Sequence, residues 1–146
     1  MAGLIYSERQ LNIYRFMERA GPCPLAVLEI LFGKKTEQAL KHLRREDYIY
    51  NLTMNGIEFW ALQNCGRFNP AEQELMAWFI ARLEEKQGKY LGNGVCLTPN
   101  GTTLTLNLAP GKGGVMLITD DKGRKLSAQL SELKKSTLNE CLKWEK

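Results

Sequence analysis

The segment Tyr50-Asn51-Leu52-Thr53-Met54-Asn55-Gly56-Ile57-Glu58-Phe59-Trp60-Ala61 constrains the fold more than any other part of the chain. Asn-Gly is the preferred dipeptide of a two-residue type I′ hairpin turn, which needs positive φ at both positions. A turn there pairs Met54 with Ile57, Leu52 with Phe59 and Tyr50 with Ala61. Successive strand residues alternate between faces, so these six lie on one apolar face. The other face pairs Thr53 with Glu58 and Asn51 with Trp60, which places Trp60 on the outer side. Turn chemistry and hydrophobic alternation select the same register.

Three helical patterns precede the hairpin. Ser7 is placed to cap the first, with Gln10 three residues on in capping-box position. Leu11, Ile13, Tyr14, Phe16 and Met17 form its apolar side, and Gly21-Pro22 stops it. Pro24 suits the first turn of a second helix, where its missing N–H goes unnoticed. Leu25, Leu28, Leu31 and Phe32 supply that helix's apolar side, and Gly33 ends it. Thr36 is placed to cap a third helix with a buried stripe of Ala39, Leu40 and Leu43. Glu37, Gln38, Lys41, Arg44 and Arg45 then fall on its outer side. The short link between the second and third helices is a helix-turn-helix arrangement.

Helix, short helix, turn, basic helix and hairpin, over residues 5–63, resemble the winged-helix superfamily. The resemblance is architectural and rests on no diagnostic short motif. It implies that the third helix is a recognition helix lying in the major groove of DNA, with the hairpin as the wing beside it. One departure concerns the wing tip, Leu52 to Glu58, which carries one acid and no base. Phosphate contact by the wing is therefore not expected, and a structural role or a protein-facing role stays open.

The remainder, from about residue 67, reads as a second small unit. Asn69 is an N-cap candidate, with Pro70 at the first helical position and Glu72 at the third. Leu75, Met76, Phe79, Ile80 and Leu83 follow at helical spacing, predicting a helix of about 17 residues that ends near Gly88. Whether it packs on the first unit or mediates dimerisation is open. Asn100-Gly101 predicts a second hairpin, pairing Leu97 with Leu104 and Val95 with Leu106. Val115–Thr119 reads as a further strand, Asp120 to Gly123 as a turn, and Arg124–Ala128 as a candidate fourth strand. From about Ser131 the pattern Leu133, Leu138, Cys141, Leu142 suggests a terminal helix. The expected fold is α+β: a winged helix-turn-helix over residues 1–66, then an α-β-meander-α unit over 67–146. This order of parts is similar to winged-helix proteins of bacterial plasmids and integrative elements, some labelled replication-relaxation proteins. That similarity implies a C-terminal unit like a reduced restriction-endonuclease core.

Charge sharpens the functional expectation. Residues 1–66 hold 8 Lys/Arg and 7 Asp/Glu, and residues 67–146 hold 12 and 9. The first half is thus nearly neutral overall, yet Lys34 to Arg45 carries five Lys/Arg against one Glu. Placement matters more than the total for groove binding. Lys34, Lys35, Arg44 and Arg45 are expected at phosphates, with Thr36, Gln38 and Lys41 nearest base edges. A solvated charged helix face is the bland alternative. The expected partner is double-stranded DNA, bound by a homodimer that acts as a regulator or accessory protein of a plasmid, phage or integrative element. A protein-interaction module built on the winged-helix fold is the first alternative, and a metal-dependent nuclease is the second.

Other chemistry finds less support. The four cysteines, Cys23, Cys65, Cys96 and Cys141, are widely spaced, and His42 is the one histidine, so no structural zinc site is expected. Buried free thiols are the simpler reading. Gly111-Lys112-Gly113-Gly114 lacks phosphate-loop spacing and precedes a strand pattern, so it reads as a connection. Asp120 or Asp121 with Glu132-Leu133-Lys134 mimics the Mg²⁺-binding triple of restriction-type nucleases, but Glu132 and Lys134 open a predicted helix, where i and i+2 diverge. No catalytic residue, metal or cofactor is assigned. No run of ~18 apolar residues can span a bilayer as a helix. The N-terminus lacks a secretory layout, so a cytoplasmic location is expected.

Overall fold

The computed structural model describes residues 7–108 and 114–144. Its fold is α+β, with six helices and two antiparallel sheets among the described residues. The Gly111–Gly113 part of the glycine-rich loop lies outside them.

Helix α1 (Glu8–Ala20) starts at Ser7, whose Oγ accepts a hydrogen bond from the Gln10 amide at 3.1 Å. It stops at Gly21, where φ is +81° and the amide donates to the Met17 carbonyl at 2.9 Å. Helix α2 (Leu25–Phe32) begins immediately after Pro24, and α3 (Thr36–Arg45) follows after a link of three residues. Strands β1 (Ile49–Met54) and β2 (Ile57–Leu62) form the first sheet. Their register is the predicted one, with Met54 opposite Ile57, Leu52 opposite Phe59 and Tyr50 opposite Ala61. Asn55 and Gly56 take φ of +51° and +76°, as a type I′ turn requires. Cys23, between α1 and α2, bridges to Trp60 through amide–carbonyl bonds of 2.9 and 2.8 Å. That bridge fastens the hairpin to the helices.

Trp60, expected on the outer face, is buried, while Phe59 and Ala61 of the expected inner face are fully buried as well. Ile49 and Trp60 are buried in the helical core, with Leu62 packed against it. Trp60 is therefore an inward residue. The opposite, more uniformly apolar face is partly covered by the chain that follows: Phe59 meets Phe68 edge-on at 5.1 Å. Both faces carry apolar groups, so counting them misleads. The bulk at the hairpin's base, next to the Cys23 bridge, decides where the helices dock.

Helix α4 (Pro70–Glu85) is capped by Asn69, whose Oδ1 accepts from the Glu72 amide at 3.1 Å. Leu75, Ala77, Trp78, Phe79, Ile80, Ala81 and Leu83 are all buried. The helix packs on α1 and α2, and one hydrophobic cluster runs through it from the first half of the chain into the second. Gln73 Nε2 donates to the carbonyls of Ala20 and Pro22, both at 2.8 Å, and Arg19 pairs with Glu84 at 2.9 Å.

The second sheet is a six-stranded meander in chain order. Its strands are β3 (Lys89–Gly92), β4 (Val95–Leu97), β5 (Thr103–Leu108), β6 (Val115–Asp120), β7 (Lys125–Gln129) and β8 (Lys143–Trp144). Helices α5 (Leu130–Leu133) and α6 (Leu138–Cys141) lie between β7 and β8. Three expectations need correction. The β4–β5 register is shifted by one: Cys96 faces Leu104, and Leu97 faces Thr103. Pro99 is the cause. It favours position i+1 of a type I turn, so the loop becomes Pro99-Asn100-Gly101, with only Gly101 at positive φ, +90°. The Thr98 carbonyl accepts from the Gly101 amide at 3.0 Å, closing that turn. Secondly, β3 and its Asn93-Gly94 turn, with φ of +54° and +77°, add a strand that the sequence reading lacks. Finally, the expected terminal helix is two single turns and the edge strand β8, which pairs Leu126 with Trp144.

Asp120 organises the turn between β6 and β7. Its Oδ1 accepts from the amides of Lys122 (3.0 Å) and Arg124 (2.8 Å), and its Oδ2 accepts from Arg124 Nε at 2.7 Å. Burial by itself would raise this carboxyl. Hydrogen bonds from Arg124 and the Lys122 amide, with the Arg124 charge, outweigh it and hold the group below the usual aspartate value. The folded pKa is thus lower than the unfolded one. The resulting stability is present above about pH 4 and is lost as pH falls through the folded value. Asp120→Asn should lower stability at neutral pH in urea denaturation. The gap to wild type should narrow below about pH 4. A gap unchanged down to about pH 2 would mean that the ionised carboxylate contributes nothing.

Candidate nucleic-acid interface

The approach to α3 is set by Gly33. Its φ of +81° and ψ of −162° lie in a region open essentially to glycine. Its amide closes α2 on the Glu29 carbonyl at 3.0 Å. Its carbonyl then accepts from Thr36, from the amide at 3.3 Å and from the hydroxyl at 2.6 Å. Thr36 is fully buried. It is the first residue of α3, with Lys35 in the cap position. Thr36 therefore cannot sit near base edges. The hydroxyl is turned back into the link, because Gly33 starts the helix one residue earlier than a threonine cap would.

The other six predicted residues are all exposed: Lys34, Lys35, Gln38, Lys41, Arg44 and Arg45. Ala39, Leu40 and Leu43 are buried on the opposite side. Gln38, Lys41, His42, Arg44 and Arg45 border one shallow depression. Lys34 and Lys35 lie in the link, before the first turn of α3.

The partners of these cations set the electrostatics. Lys41 Nζ is 3.8 Å from Glu37 Oε1, with side chains 61% and 53% exposed. Such an exposed pair cancels little charge. Arg45 Nη2 lies 3.3 Å from His42 Nδ1. Arg44 donates from Nη1 to Asn51 Oδ1 at 2.9 Å, and its guanidinium carbon is 5.6 Å from the Trp60 ring centre. Asn51 Nδ2 in turn reaches Glu58 Oε2 at 3.5 Å. Elsewhere the cations of ion pairs sit closer to their acids, from Arg124–Asp120 at 2.7 Å to Lys134–Glu74 at 3.2 Å. Arg44 is held in place by neutral groups, which fix a cation without neutralising it. Sequence reading missed Asn51 and Trp60 as its supports. The predicted register set those two opposite each other, but nothing in it said that Arg44 would reach them.

The nuclease-like triple is not brought together. Glu132 pairs with Lys143 at 3.0 Å, Lys134 with Glu74 at 3.2 Å, and Asp120 is taken up by Arg124. Among the described residues no group of three His, Cys, Asp or Glu is placed to hold a metal ion. The cysteines are free thiols, and Cys65 is the one not buried. Burial pushes the Cys23 thiol far up, and burial with the nearby Glu84 charge pushes Cys96 up to about 12. No described helix is long and apolar enough to cross a membrane.

Comparison with known protein families, curated proteins and solved structures gave no match.

Thr36→Val keeps the shape of a buried side chain but removes its hydroxyl. Stability in urea should fall by about 1–2 kcal/mol, the cost of a lost buried hydrogen bond. A change under about 0.3 kcal/mol would return Thr36 to the pool of surface residues.

Proposed function

We propose that residues 7–62 form a winged helix and that the protein binds double-stranded DNA through α3, as a non-enzymatic regulator or accessory protein of a plasmid, phage or integrative element. The observation that carries this reading is the exposed face of α3 and its preceding link. Five cations share one loosely held acid there, and Gln38 lies among them. Lys34, Lys35, Arg44 and Arg45 contact phosphates. Gln38 and Lys41 face base edges, Gln38 with an amide that can pair with adenine. Thr36 supports the helix start. A homodimer presents two such helices to half-sites about one helical turn apart.

A cytoplasmic protein-interaction module is the second reading, and one observation favours it. A cleft of about 530 Å³ opens where Tyr50, Leu52 and Met54 meet Cys65 to Phe68. Its hairpin wall is the apolar face turned away from the helices.

Fluorescence anisotropy on a labelled duplex between 50 and 200 mM salt tests the DNA reading. With about four phosphate contacts, log affinity should fall against log salt with a slope near −3 to −4. Lys41→Glu with Arg45→Glu should weaken binding by at least about tenfold at an unchanged melting temperature. Affinity that ignores salt, or that survives the double reversal, would shift the weight to the cleft.

A further inference from the structure

A second cleft, of about 480 Å³, opens on the core side of the six-stranded sheet. Helix α4 ends at Glu85 and α6 is a single turn, and the cleft lies between them. Its floor is Leu104, Ile118 and Leu126 from three adjacent strands, and Leu138 and Leu142 form a side wall. The volume lies within the range of small-molecule sites, roughly 300–1,000 Å³.

The charged groups at this cleft are Lys86, Asp120 and Arg124. Asp120 is consumed by the turn, so it offers little negative charge to a ligand. Arg124 uses Nε for Asp120, and its Nη groups keep their N–H donors. Its side chain is 54% exposed and lies 5.1 Å from the ring centre of Trp144, itself 61% exposed. Lys86 forms no ion pair among the described residues. An apolar slot is thus rimmed by a planar guanidinium stacked on an indole and by an ammonium.

We infer that this cleft binds a small organic anion with a flat apolar body. The body lies on Leu104, Ile118 and Leu126. A carboxylate, sulfonate or phosphate group meets Arg124 and Lys86 at the mouth, where charge-assisted hydrogen bonds are strong. Trp144 covers one side of that body. The site is separate from α3 and does not rest on the DNA reading.

Anilinonaphthalene sulfonate and its uncharged counterpart phenylnaphthylamine are suitable probes, since they differ in the anionic group alone. Fluorescence titration should show one saturable site for the sulfonate and weaker binding of the neutral amine. Lys86→Gln and Arg124→Gln should each weaken the sulfonate by about 5- to 10-fold and leave the amine within about twofold. Arg124→Gln also removes the partner of Asp120. Lys86→Gln has no such effect and carries the test if the other variant melts early. Asn139→Trp, at an exposed position of the rim, should abolish binding of both probes. Lys41→Glu with Arg45→Glu on α3 should change neither. Equal affinity for the two probes would overturn the anionic class. Full binding by Asn139→Trp, or loss of the sulfonate on reversing the α3 charges, would overturn the site itself.

Discussion

Trp78, Phe79, Ile80 and Ala81 are consecutive in α4, and all four are buried. Successive helical residues are about 100° apart, so four in a row sweep most of the circumference. A helix buried on that many sides needs packing partners on opposite flanks. It has α1 and α2 on one, and β6 with α5 and α6 on another. Each large side chain stabilises the fold by about 1.5–3 kcal/mol when removed from water. Neither half of the chain could bury this helix alone. The boundary expected near residue 66 falls in the segment that carries Phe68 onto the hairpin, and the apolar cluster continues past it. Polar contacts reinforce the join, since Gln73 satisfies the carbonyls of Ala20 and Pro22.

This arrangement fixes what surrounds both candidate sites. Helix α3 follows α2 through the hydrogen-bonded Gly33 link, and α2 lies against α4. The second cleft is bordered by Leu83 and Lys86 at the other end of α4. The first site thus reaches α4 through α2, and the second borders it directly.

How much of this was legible in the sequence depended on how many independent signals agreed. The first hairpin carries a turn dipeptide whose two residues both take positive φ, and a long alternation that demands the same register. The second has the same dipeptide, but Pro99 before it converts a two-residue turn into a three-residue one. A shift of one residue exchanges faces, which is why Cys96 and not Leu97 shares the interior with Leu104. Strands β3 and β4 are four and three residues long, too short for alternation to show. In the tail, apolar residues at helical spacing fit two single turns as well as one helix. At the site, outward cations were readable because Ala39, Leu40 and Leu43 fixed the buried side of α3. Thr36 was not, because its role depends on the backbone angles of Gly33. The support of Arg44 by Asn51 and Trp60 is a tertiary contact without a local signature.

That support also bears on how a duplex would approach. An arginine pre-positioned by neutral partners loses less side-chain entropy when it meets an anion, and no acid must be displaced first. Asn51 also reaches Glu58, which brings negative charge toward the hairpin side of Arg44. At the opposite end of α3, Lys34 and Lys35 are exposed and have no ion pair among the described residues. On the proposed reading, phosphates therefore favour the link and first turn of α3 over the hairpin tip. A duplex bound in that way would tilt toward Lys34 and Lys35, and the hairpin would stand off its backbone while Asn51 and Trp60 hold Arg44 in place.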